Sequence, residues 1–357
     1  MRERIFQAGG AIPPDSPTYV EREADNLVMD LVRQMELVHI IVARQMGKSC
    51  LLHRLTMRLP EEHLFVTVDL SGIAGLGMGR WYEGLGEDIA KQLTSERYSG
   101  LADQKELQNF LIEELQRIGP ARKVVITFDE IDGTRRLPFS DGFFSALRAL
   151  YNARAGLPSL RNLTFILVGA TDPRKLIKDP SLSPFNVGQE VRMEEFTLRQ
   201  TRQLTKNLAL AGVAADEAVH ERIYWWTSGQ PYLTQKVCAT LEGWQAREGI
   251  GRATIELVDR AVEEHILSSK ANDSNLSHIR ARLDQEPEAK AYLQHITFEG
   301  LQVPFEPYGT LDGRIAELYL IGVIKEGPEG NCVVRNRIYE RALEGFFRPP
   351  RRLGFRP

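Results

Sequence analysis

Three short groups of residues carry side chains suited to handling a phosphate. The first is Gly47-Lys48-Ser49, inside the stretch HIIVARQMGKSCLLHRL. Ile40 to Ala43 is apolar and short enough for a buried strand, Arg44 to Gly47 makes a tight turn, and Lys48-Ser49 opens an amphipathic helix. At such a junction the first helical N–H groups lack intrahelical partners and face outward, where with the helix dipole they hold an anion. Arg44, Gln45, Met46, Gly47, Lys48, Ser49 and Cys50 therefore form a candidate cradle. Gly47 lets the backbone approach, the Lys48 ammonium reaches the β- and γ-phosphates, and the Ser49 hydroxyl offers one ligand to Mg²⁺. The full pattern G-x-x-x-x-G-K-[ST] asks for glycine five residues before Gly47, where Val42 stands. The tripeptide by itself also fits an ordinary helix start.

The second group lies about eighty residues on, in KVVITFDEID. Val124 to Phe128 is a continuous apolar, β-branched run, the pattern of a strand buried on both faces of a parallel sheet. It ends in two acids: Asp129 can hold Mg²⁺ through a water, and Glu130 can orient and polarise an attacking water. The bland alternative is a solvated strand end. The third group is Ala170-Thr171-Asp172, after the apolar run Leu163 to Gly169. Thr171 is either a sensor of the γ-phosphate or, before Pro173, a helix N-cap.

The positioning elements follow from the same patterns. Ile40–Ala43, Leu64–Leu70, Val124–Phe128, Leu163–Gly169 and Gln189–Met193 read as five strands of a parallel sheet, an α/β fold. Helices are expected over Ala24–Met35, Trp81–Leu93, Lys105–Ile118 and Asp141–Ala155, with the loop SGIAGLGMGR as a surface connection. From Leu198 the strands stop. Arg199–Ala211, Asp216–Thr227, Pro231–Arg247 and Thr254–Leu267 form a helical lid, punctuated by Gly229-Gln230-Pro231. Trp225-Trp226 reads as core aromatic surface. Residues 276 to 346 read as two helices, an apolar segment, the turn Gly327-Pro328-Glu329-Gly330 and a returning strand, a winged helix. The expected organisation is a core at 1–197 with an irregular lead-in, a lid at 198–274, a winged helix at 275–346, and a basic tail at 347–357.

Composition bounds the partners. A chain of 357 residues with formal net charge −3 suits two or three domains and favours no charged partner overall. MRERIFQAGG is no signal peptide and no apolar window spans a membrane, so a cytoplasmic location is expected. Three isolated cysteines give neither a disulfide framework nor a metal site. The expected winged helix, from 275 to 345, carries eight Lys and Arg against eleven Asp and Glu. A DNA reader would be basic.

The segments YVERE, RQMGKS, FDEID, SPFNVG, WWTSGQPYLTQK and VRNRIYER, in this order, resemble the bacterial AAA-like ATPase family allied to the STAND signalling ATPases. The resemblance covers nearly the whole chain, and RQMGKS in place of the full glycine pattern is usual there. It implies a P-loop NTPase fold with a lid and a winged helix, and ATP and Mg²⁺ as ligands. Lys48 and Ser49 would serve phosphates and metal, and Asp129 and Glu130 metal and water. It also implies Tyr19 and Val20 near adenine, where a plain helix entrance is the alternative, and the turn before Pro231 approaching the base. Relatives carry an arginine finger in a region where this chain offers Arg174, Lys175 and Lys178. Two functions compete: a nucleotide-dependent signalling switch acting through a protein partner or self-association, and a DNA-handling ATPase using the winged helix and basic tail.

Overall fold

The computed structural model describes residues 4–94, 98–306 and 313–347. The tail arginines Arg348, Arg351, Arg352 and Arg356 lie outside the described residues. The chain gathers into two compact units. A sheet unit takes Arg22–Val42 and Leu51–Met193; a helical unit takes the described residues of Met1–Glu21, Ala43–Cys50 and Glu194–Pro357.

Up to Met193 the elements run α1 (Glu23–Arg33), β1 (Val38–Ile41), α2 (Lys48–Arg58), β2 (His63–Asp69), α3 (Met78–Gln92), α4 (Gln104–Ile118), β3 (Lys123–Asp129), α5 (Ser140–Asn152), β4 (Leu163–Gly169) and β5 (Gln189–Glu190). The strand order is β2-β3-β4-β1-β5, with every neighbouring pair parallel. Val124–Phe128 of β3 and all of β4 are buried. Unbroken apolar runs are what a parallel sheet covered on both faces requires. The helices supply the covering: α3 buries Trp81, Tyr82, Leu85 and Ile89 on one stripe, and Trp81 meets Phe143 edge to face, with ring centroids 5.1 Å apart.

Two expectations need correction here. The strand expected over Gln189–Met193 is only two residues long. Gln189 and Val191 donate their N–H groups to Leu37 and His39 of the β1 segment, and the pairing then ends. The first strand is also displaced, from the expected Ile40–Ala43 to Val38–Ile41, while the loop SGIAGLGMGR is exposed or half-buried throughout, as a surface connection is, and is entered through a 3-10 turn, Leu70–Ile73, capped by Asp69. A Cβ on Gly133 would stand 2.9 Å from the Leu70 carbonyl, so the turn after β3 closes on this loop through a glycine.

The remaining elements are α6 (Leu198–Thr205), α7 (Glu217–Thr227), α8 (Pro231–Glu248), α9 (Ile255–Val262), α10 (Ser274–Gln285), α11 (Pro287–Phe298), α12 (Gly313–Ile321), β6 (Ile324–Glu326), β7 (Cys332–Val334) and α13 (Arg337–Phe347). Local chemistry fixes their starts. Thr197 and Gln200 form a capping box on α6, and Asp216, Gln230, Thr254 and Asp273 each accept a first-turn N–H. Where two helices and a wing are expected, three helices precede the β6–β7 antiparallel hairpin and α13 follows it. Their apolar side chains share one core with the preceding helices: Leu233, Val237 and Trp244 lie in the same cluster as Leu318, Val323 and Ile338.

The N-terminal lead-in belongs to this core. Phe6 is buried in the cluster, and the Ile5 and Phe6 N–H groups donate to the Glu242 carboxylate at 2.8 and 3.0 Å. The tryptophan pair divides, because adjacent helical residues point about 100° apart. Trp226 is buried and donates to Asp259 at 2.7 Å. Trp225 is 40% exposed, with the guanidinium of Arg222 at 4.0 Å and that of Arg337 at 4.3 Å from its ring. It is a cation–π centre rather than core.

Candidate functional site

The loop Ala43–Cys50 belongs to the helical unit. Gly47 sits at φ +91° and Gln45 at φ +62°; the first is natural for glycine, the second costs a side-chain-bearing residue about 1–2 kcal/mol. Lys48 and Ser49 open α2. Lys48 is only 8% exposed, and its ammonium lies 3.4 Å from the Ala43 carbonyl, folded back over its own loop. Ser49 and Arg44 are exposed, whereas the Met46 side chain is buried. The Cys50 thiol accepts the Ile12 N–H at 3.4 Å. A helix start carrying a lysine and an exposed hydroxyl after two left-handed residues has the donor set that a polyphosphate and a hard cation require.

Side chains from far along the chain reach this loop. Gln230, the cap of α8, donates to the Gln45 carbonyl at 3.2 Å. Asn275, in the first turn of α10, donates to the Gln45 side-chain oxygen at 2.6 Å. Arg335, 2% exposed, points Nη1 at the Met46 sulfur at 3.7 Å, pairs with Glu195 and donates to the Ile324 carbonyl at 3.0 Å. A Cβ on Gly322 would approach the Ala43 Cβ to 2.9 Å. Gly229 is equally constrained: at φ +76°, its added Cβ would fall 1.8 Å from the Phe196 carbonyl oxygen. The glycine of Gly229-Gln230-Pro231 is therefore fixed by close backbone approach, and Pro231 is buried at the first position of α8.

His278 lines the same narrow cavity as Arg44, Asn275, Arg335 and Tyr339. Burial, with Arg44, Arg282 and Lys48 adding positive charge, pushes its pKa down to about 4. Between about 6.5 and 4 the unfolded chain binds a proton at this position that the folded chain refuses. Its contribution to stability is present above 6.5 and lost as pH falls through that window. We expect urea midpoints to drop across this range in the wild type and to drop less in His278→Gln. Identical pH profiles would remove His278 as the cause.

The acids belong to the sheet unit. Asp129 ends β3 in register with Asp69 of β2, and its carboxylate accepts the Glu130 N–H at 2.8 Å. Glu130 takes φ +51°, and a 3-10 turn, Ile131–Thr134, follows. The Asp132 carboxylate accepts the Ala170 N–H at 2.9 Å. Gly169 leaves no room for a side chain, since its Cβ would lie 2.6 Å from Ile131 and 2.7 Å from Asp132. The acidic turn and the end of β4 are thus locked together, and Asp132 is a positioning residue that the sequence reading did not single out.

Thr171 follows immediately. It is 2% exposed and its hydroxyl makes no hydrogen bond. Capping of the Pro173–Lys175 turn falls to Asp172, which accepts the Arg174 N–H. Of the two roles open for Thr171, capping is thereby taken by its neighbour. Arg174 is engaged too, its guanidinium forked on Asp172 at 2.6–3.0 Å.

Tyr19 is half-buried, while Val20 is buried in the apolar core of the helical unit. Asn207 and Gln200 hold the carbonyls of Pro17 and Glu21 beside them. Asn275 and His278 carried no local signal; Arg335 lay within VRNRIYER without an assigned role.

Comparison with known proteins places the fold and the family. An uncharacterized WD repeat-containing protein of Synechocystis sp. (strain PCC 6803) is 35% identical over 254 residues, 67% of this chain. The chain spans about a fifth of that relative, 21% of its length. The Walker-type ATPase of Pyrococcus abyssi superposes with a TM-score of 0.61 at 15% identity, covering 95% of this chain and 99% of that one. The ORC2 protein of Aeropyrum pernix, determined as ADPNP–ADP complexes, gives 0.54 at 13% identity, covering 95% and 96%. At these identities the likeness is one of fold, that of P-loop ATPases. Residues 88–342, which take in the acidic strand, the Thr171 turn, the Gly229-Gln230-Pro231 turn and Arg335, match the sequence profile of the AAA-like domain, and the chain belongs to that family.

Proposed function

We propose that this protein binds ATP and hydrolyses it slowly with Mg²⁺, and works as a nucleotide-dependent switch in bacterial signalling or defence, through a protein partner or self-assembly. The observation that carries the reading is the loop Ala43–Cys50, with Lys48 and Ser49 at the start of α2 and Gln230, Asn275 and Arg335 against it. In this reading the loop N–H groups and Lys48 hold the phosphates, and Arg44, Gln45, Met46, Gly47 and Cys50 complete the cradle. Tyr19, Val20 and the turn at Pro231 serve the adenine. Ser49 supplies a hydroxyl and Asp129 a carboxylate suited to Mg²⁺, which when bound neutralises charge on the phosphates. Glu130 accepts the proton of the attacking water. Thr171, with its unpartnered buried hydroxyl, senses the terminal phosphate.

The switch reading is favoured over a DNA-handling one by the C-terminal segment, which we take as a winged helix. Four of its eight cations are engaged within the segment or with their own unit: Arg335 with Glu195, Arg282 with Glu317, Lys290 with Asp284, and Arg337 over Trp225. Glu326 and Glu329 at the hairpin turn are exposed, where they would repel phosphates. The test is twofold: ATP hydrolysis with Mg²⁺, and DNA binding by fluorescence anisotropy at near-physiological salt for the full chain and a chain ending at Phe347. Hydrolysis without tight DNA binding is expected. Tight binding that survives truncation would favour the DNA-handling ATPase.

A further inference from the structure

Within Ala43–Cys50, Gln45 is the non-glycine residue in the left-handed region. Such a conformation persists in an L-residue only where its surroundings over-determine it. Here both polar ends of Gln45 are held: the carbonyl by Gln230 at 3.2 Å and the side-chain oxygen by Asn275 at 2.6 Å. The two holders are themselves fixed. Gln230 spends its other side-chain atom on the Leu233 N–H at 2.6 Å. Asn275 follows Asp273, whose Oδ1 accepts the Asn275 and Leu276 N–H groups at 3.0 and 3.1 Å. Asp273 Oδ2 accepts the Tyr232 hydroxyl at 2.7 Å. The first turns of α8 and α10 are thus tied to each other and end on the same loop residue. Gln230, Asp273 and Asn275 are all buried and Gln45 is half-buried, so these bonds are partly shielded from competing water.

We infer that Asn275 is a positioning residue for the nucleotide loop: with Gln230 it holds Gln45 left-handed, and so sets the direction in which the loop N–H groups point. The inference rests on the proposed ATP-binding reading. Asn275 acts through Gln45 and needs no contact with the nucleotide. Losing it lets the loop relax toward a right-handed Gln45, and the N–H groups no longer converge.

Calorimetry with ADP on the full chain tests this. Asn275→Ala is expected to raise Kd about tenfold, the size of the left-handed penalty it leaves unsupported. In a Gln45→Gly background the same substitution is expected to change Kd by a factor of about one, because glycine takes positive φ unaided. A tenfold effect that persists in that background would overturn the inference, and loss of affinity through misfolding would persist in the same way. Wild-type affinity in Asn275→Ala would overturn it alone, whereas no binding by the wild type would overturn the nucleotide reading and this inference with it.

Discussion

Lys48→Ala is expected to abolish measurable ATP binding, raising Kd by at least about a hundredfold. The ammonium belongs to the loop it would serve: it is buried and already lies against the Ala43 carbonyl at 3.4 Å, so little further ordering is needed when phosphate arrives. Charge-assisted hydrogen bonds to phosphate contribute about 1.5–3 kcal/mol each, and an ammonium at this position would make two, to the β- and γ-phosphates. Alanine also removes the positive charge that adds to the depression of the His278 pKa, so the substitution should not reduce folded stability on that account. Isothermal calorimetry with ATP and Mg²⁺ checks the result. Equal affinity in the two proteins would take Lys48 out of the phosphate site and leave the helix start without a functional reading.

The second large effect separates binding from turnover. Glu130→Gln is expected to leave ATP affinity within a few-fold of wild type while lowering single-turnover hydrolysis by about a hundredfold or more, in the range for loss of a general base. The amide keeps the shape of the side chain but cannot take a proton. The backbone argues for the same residue. Glu130 is held at φ +51° between the strand end and the turn that Asp132 ties to Ala170, and strained backbone of this kind gathers at functional sites. The substitution keeps that backbone, so a folding defect is not expected. Hydrolysis by the variant at the wild-type rate would assign the base to another residue.

Much of this was legible in the chain itself, and the reason is locality. The buried run Val124–Phe128, the runs of β1 and β4, the glycine and proline around Gln230, and the N-caps of the helices are settled by free energies acting over a few neighbouring residues. The Gly-Lys-Ser and Asp-Glu groups are legible for the same reason: each occupies a junction whose backbone geometry is prescribed by the strand or helix beside it. Where the pattern reading erred, the elements were weakly local. β5 keeps only two paired residues, at an edge where one neighbour suffices, and Trp225 follows helical direction rather than its aromatic type.

Tertiary structure alone decided which polar side chains meet the loop. Asn275 stands 230 residues from Gln45 and Arg335 289 from Met46. An asparagine at a helix start, or an arginine between a strand and a helix, has no periodicity that names so distant a partner. It likewise decided that Asp172 caps the turn and leaves the Thr171 hydroxyl without a bond, a choice between adjacent, equally suitable caps. Sequence patterns report what a residue does to its own few neighbours; contacts across hundreds of residues are set by the packing of whole elements, in which the polar residue is carried rather than the cause.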